Sequence, residues 1–82
     1  MTTHDIKIHP EYFDAVLDGL KTAEIRKQER DYAAGDIVVM REYDPAKALY
    51  TGRFQAITIT YIFPPYVPGL ETGFVVFCFD LY

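Results

Sequence analysis

With Cys78 as its only cysteine, the 82-residue chain cannot form an internal disulfide, so packing alone must hold it together. Cys78 lies in the apolar run Phe74–Phe79, where the expected role is that of a small buried hydrophobe. A reducing, cytoplasmic setting suits such a chain. His4, His9 and Cys78 lack metal-ligand spacing, so neither a metal nor a cofactor is expected. There is no Ser-His-Asp or Cys-His arrangement for nucleophilic catalysis, and no glycine-rich loop to cradle a phosphate. No stretch approaches the roughly 18–20 apolar residues that cross a membrane. The polar opening Met1–Asp5 carries no apolar signal core, which again points to the cytoplasm. Positive charge is also scarce: 8 Lys and Arg face 12 Asp and Glu, a net −4. That balance argues against indiscriminate contact with polyanions.

Half of the residues are apolar and 13 are Phe or Tyr, enough for the thin core of one small domain. No repeat, linker or low-complexity segment divides residues 1–82. His4–Ile8 alternates with Ile6 and Ile8 on one face, as a strand does. Pro10 then opens a helix expected to run to Asp18, with Tyr12, Phe13, Val16, Leu17 and Leu20 as its apolar stripe and Gly19 as its stop. Lys21–Gln28 reads as a strand with one charged face, and Ile37–Met40 as a more buried one that continues through Arg41, Glu42 and Tyr43. A loop from Asp44-Pro45 to Thr51-Gly52 precedes the β-branched strand Phe54–Phe63, which Pro64-Pro65 ends. Phe74–Leu81 is apolar enough to imply a central strand. One helix among about five strands with hairpin-length links predicts an α+β, strand-rich fold. Its expected form is a small mixed β-barrel with the main helix near the N-terminus.

The charge is unevenly spread. Between residues 21 and 30, Lys21, Arg26, Lys27 and Arg30 face Glu24 and Glu29, a local +2 on a body that carries −6. Such a patch can hold an anion locally while the rest of the surface repels polyanions. Along Gly19-Leu20-Lys21-Thr22-Ala23-Glu24-Ile25-Arg26, the side chains of Thr22, Glu24 and Arg26 stand on one strand face about 7 Å apart at each step. Lys21 offers a point charge or an activated amine, Glu24 a base-edge acceptor or general base, and Arg26 a fork for phosphate or a plane for stacking. The same residues also fit a solvated face of exchangeable ion pairs. Arg41, Glu42 and Tyr43 at one strand end, with Arg53 across the loop, form a second candidate cleft, or merely the charged rim of a hairpin. His4 and Lys7 fall on opposite faces of the first strand. Tyr43, Tyr50 and Tyr66, in or beside loops, are placed to stack on a base. The proline-bearing loop Pro64–Gly69 offers an apolar surface to a protein partner.

The set Lys7-Ile8, Tyr12-Phe13, Gly19, Lys21-Thr22, Glu24-Ile25-Arg26, Arg30-Asp31, Gly35-Asp36, Arg41-Glu42-Tyr43-Asp44 and Thr51-Gly52-Arg53 resembles an ASCH-type domain of the PUA-like superfamily. More narrowly, it resembles a bacterial and phage subfamily of unknown function. The resemblance spans most of the chain and is strongest from His4 to Arg53. It implies a barrel with a cleft along the strand bearing Lys21, Glu24 and Arg26, and it implies single-stranded RNA or a nucleotide as partner. Lys7, Thr22, Arg41, Tyr43 and Arg53 are the further binding residues expected on this reading. One ASCH-like branch hydrolyses an acylated cytidine, using a lysine and a threonine three residues later. The chain is similar to that branch at Gly19, Lys21-Thr22 and Ile25-Arg26, but has Glu24 at the threonine position. A Lys21–Glu24 pair would then carry any acid-base chemistry.

Overall fold

The computed structural model describes residues 1–82. Five strands and one helix follow in the order β1 (Thr3–Ile8), α1 (Pro10–Leu17), β2 (Ala23–Lys27), β3 (Ile37–Asp44), β4 (Leu49–Ile62) and β5 (Phe74–Leu81). The strands form one sheet ordered β1-β3-β4-β5-β2, curled into a half-barrel. β1 pairs with β3 in parallel, and the other pairs are antiparallel. The expected strand-rich α+β architecture is therefore present. β5 lies inside the sheet between β4 and β2, in keeping with its apolar sequence.

Inward-facing residues alternate along the strands as a pleat requires. Ile6 and Ile8 of β1, Val38 and Met40 of β3, Ile57 and Ile59 of β4, and Phe77 and Phe79 of β5 meet Phe13 and Val16 of α1 in one core. β2 contributes nothing to this cluster. Its inward residue is Glu24, while Ile25 turns outward and is 62% exposed. The helix stripe is narrower than its spacing suggests, because only Phe13 and Val16 are buried; Tyr12, Leu17 and Leu20 face out. Cys78 is half-buried on the outer face of β5, paired with Ala23 of β2, and is not a core residue.

α1 ends one residue early, at Leu17, for a backbone reason. Gly19 adopts φ 75°, its amide reaches the Val16 carbonyl, and the Leu20 amide reaches the Ala15 carbonyl. This paired closure satisfies the last helical carbonyls and turns the chain toward β2. The expected loop from Asp44 to Gly52 is instead a tight hairpin. The Asp44 carboxylate accepts the amides of Ala46 and Lys47, and pairing resumes with Asp44 opposite Leu49 and Tyr43 opposite Tyr50. An Asx turn of this kind needs only four residues, so β4 starts earlier and runs for 14.

One polar cluster is built into the packed interior. The His4 ring nitrogen Nε2 lies 2.8 Å from Asp36 Oδ2, and the other Asp36 oxygen accepts the Thr2 amide at 3.0 Å. Oδ2 also accepts the Ala33 amide at 3.0 Å, and Tyr32 packs between the His4 and Phe77 rings. These bonds, led by that with His4, hold the Asp36 carboxyl below its ordinary value against the opposing effect of desolvation.

Two outcomes follow from this architecture. Gly19→Ala should cost about 1–2 kcal/mol through left-handed backbone strain alone, because a Cβ there meets no neighbour; urea unfolding measures it. A carboxyl held below its unfolded value stabilises the fold above that value, and the contribution is lost as pH falls through the folded one. Stability should therefore drop on acidification below about pH 4. Asp36→Asn should flatten that acid limb when unfolding midpoints are followed from neutral to acid pH.

Candidate functional site

β1 and β2 are consecutive strands placed at opposite edges of the sheet, joined by α1. Curling brings those edges toward each other without pairing them. A bond across the gap, from the Arg30 guanidinium to the Asp5 carbonyl at 2.9 Å, spans the seam. Two adjoining cavities open along it. One, of about 360 Å³, is lined from the β1 side by Lys7, His9 and Tyr12, and from the β2 side by Glu24, Arg26 and Lys27. The other, of about 330 Å³, is lined by Asp5, Lys7, Arg26, Arg30, Tyr32 and Tyr50. Lys7, Arg26 and Glu29 belong to both.

The floor of the seam is a charged triad. Glu24 is 8% exposed and stands opposite Phe77 of β5, so its carboxylate is held against the core. One oxygen accepts Lys21 Nζ, and the other accepts Arg26 Nη1 at 2.6 Å. Lys21 Nζ also donates to the Ala23 carbonyl at 2.6 Å. Both Glu24 oxygens are thus engaged within the chain. A buried carboxylate flanked by two cations is satisfied and holds both in fixed positions. Of the two cations, Arg26, with its side chain 27% exposed, is the one that lines the groove. Tyr32 lines the second cavity, and burial pushes its phenol above the ordinary value, with Arg26 and Arg30 pulling the other way.

The structure brings Lys7, Glu24 and Arg26 together in the seam and leaves other expected residues outside it. Thr22 precedes β2, is exposed and uses its carbonyl to accept the Phe79 amide, so it is not in line with Glu24 and Arg26 in the groove. Lys21 acts on the groove through Glu24. Tyr43 borders the site indirectly: Lys7 Nζ lies 4.2 Å from its ring centroid, and its ring meets Tyr50 edge-on at 5.1 Å.

Arg41 and Arg53 do not share a cleft, because each is taken by a different carboxylate. Arg41 Nε donates to Asp5 Oδ1 at 2.8 Å on the outer face. Arg53, its side chain 52% exposed, forms a fork on Glu42, with Nε and Nη2 each at 2.8 Å from an oxygen, while Nη2 also reaches Asp14 of α1 at 2.9 Å. Thr51 Oγ1 donates to the same Glu42 at 2.5 Å, and the Arg53 guanidinium lies 4.9 Å from the Phe13 centroid. Glu42 is buried, and the Arg53 bonds, then that of Thr51, hold its carboxyl low. This constellation fastens helix to sheet.

Sequence reading did not single out His9, Tyr12, Glu29 or Tyr32 as site residues. Tyr12 fits the helical stripe by spacing, and only the narrowness of that stripe in three dimensions frees it. The basic cluster did carry Lys27 and Arg30, and their density was the available signal.

Because Arg53 neutralises a buried partner and Arg41 an exposed one, the two substitutions should differ. Arg53→Ala should lower the thermal midpoint clearly, since it leaves Glu42 buried without its fork. Arg41→Ala should cost within about 0–1 kcal/mol, as exposed pairs do. Parallel thermal melts decide this.

No three His, Cys, Asp or Glu side chains converge as a metal site would require, and no helix is long and apolar enough to cross a membrane. The chain is 42% identical over 57 residues to an uncharacterized 12.9 kDa protein in the GpA 3′ region of Escherichia phage P2. That match covers 70% of the chain and 50% of the phage protein, so the chain spans about half of that relative's length. A sequence family described as a domain of unknown function, DUF3850, matches residues 3–79, nearly the whole chain and every residue lining the seam, and the protein belongs to that family.

Proposed function

We propose that the seam between β1 and β2 binds single-stranded RNA or a nucleotide, as the resemblance to ASCH-type domains of the PUA-like superfamily implies. The observation that carries this reading is the fixing of Arg26 by a buried carboxylate at the floor of a groove whose rim holds Lys7, Lys27 and Arg30. A guanidinium positioned in advance loses little freedom on engaging a phosphate. An acidic body confines this attraction to the seam. The single free thiol suits a cytoplasmic setting. Binding is favoured over hydrolysis of an acylated cytidine because both Glu24 oxygens are already bonded to cations, leaving no free base beside Lys21.

Titration of a short single-stranded RNA pool, followed by fluorescence anisotropy, tests this. Affinity should fall with salt along a shallow slope of about −2 for the few phosphates reached, at about −0.7 for each. Arg26→Ala should weaken binding about tenfold, as loss of a charge-assisted hydrogen bond does. Thr22→Ala, outside the groove, should leave it unchanged. RNA affinity indifferent to Arg26→Ala would remove the seam as the binding site.

A further inference from the structure

Each of the two cavities along the seam has an exposed aromatic residue in its lining, and the two share Lys7 and Arg26. The His9 and Tyr12 rings lie nearly parallel, 19° apart with centroids at 6.5 Å, and both line the first cavity. Tyr12 is 51% exposed, and His9, at the helix N-cap position, makes no side-chain capping bond that would engage its ring. Tyr50, 54% exposed and braced edge-on by Tyr43, lines the second cavity. The residues common to both cavities are Lys7, Arg26 and Glu29: two cations and one carboxylate, a local +1.

We infer that the seam is a two-station site for a single strand, with one base stacked at Tyr12 and a second at Tyr50, and with the phosphodiester between them held by Lys7 and Arg26. The proposal rests on the RNA reading above and specifies the smallest ligand that fills the site. The charge agrees, since a net +1 matches the single negative charge of one phosphodiester. Bases seated in two separate cavities are unstacked from each other and splayed. Aromatic rings are the surfaces that replace lost base stacking without reading sequence. A mononucleotide reaches one station only.

The experiment compares 5′-AMP, the dinucleotide ApA and tetra-adenylate by ¹H–¹⁵N chemical-shift titration at low salt. The variants are Tyr12→Ala, Tyr50→Ala, and the corresponding Phe substitutions. Both tyrosines are exposed, so the spectra also report whether each variant stays folded. ApA and tetra-adenylate should bind at least tenfold more tightly than AMP, with shifts in both cavities of the seam. Each Ala variant should weaken tetra-adenylate by about 5- to 150-fold, the range for loss of one stacked base. Each Phe variant should retain the affinity, because stacking needs the ring and not the hydroxyl. If AMP binds as well as tetra-adenylate, or tetra-adenylate binding ignores both Ala variants while Arg26→Ala weakens it, the two-station site is overturned and the RNA reading stands. Absence of any oligonucleotide binding overturns both.

Discussion

Everything distinctive about this protein depends on an unclosed gap in its sheet. Five strands in the order β1-β3-β4-β5-β2 leave β1 and β2 without partners on one side. α1 joins these two edges in sequence, and the curl of the sheet brings them close in space. A closed barrel would satisfy both edges through backbone bonds. Here the seam is spanned by the long Arg30 side chain, and the space left beside it is a groove. The open seam also explains why β2 breaks the apolar pattern. Its inner face borders the groove, so the position that would hold an aliphatic residue in an inner strand holds Glu24 with its two cations.

The other buried polar groups are structural, and each ties together segments distant in sequence. Asp36 joins the N-terminal segment, through Thr2 and His4, to the turn at Ala33. Glu42 and Arg53 join β3 and β4, and Arg53 extends to Asp14 on the helix. A small core has little apolar area to spare, so bonds of this kind hold the ends of the sheet in register. Their strength depends on completeness: no buried side-chain nitrogen or oxygen is left without a partner. With Arg53 engaged by buried Glu42 and Arg41 by exposed Asp5, the groove-facing cations are Lys7, Arg26, Lys27 and Arg30.

Much of the fold is legible in the order of residues. Alternation at His4–Ile8, the apolar run Phe74–Leu81, the β-branched run ending at Pro64, and the Pro10-to-Gly19 helix frame all encode local geometry through φ preferences, hydrophobicity and periodicity. The boundaries that differ have local causes of a finer kind. The Asp44 turn is shorter than its polar composition suggests because one carboxylate closes it. The helical stripe is narrower than its spacing because a single sheet face contacts it along only two residues, Phe13 and Val16.

The site divides along the same line. Residue order alone determined that a dense basic segment follows a glycine-terminated helix, that Glu24 and Arg26 share a strand face, and that His4 and Lys7 take opposite faces. Periodicity carries this much, because side-chain direction along a strand follows from its pleat. Residue order did not determine which arginine keeps its charge available. That required knowing that Asp5 lies beside Arg41, that Glu42 and Asp14 lie beside Arg53, and that Glu24 takes only one donor from Arg26. Nor could it place Tyr12 and Tyr50 in the two adjoining cavities of one seam, since they belong to elements distant in the chain. Pairing between residues far apart in the chain is set by strand order and curvature, and those are properties of the assembled sheet.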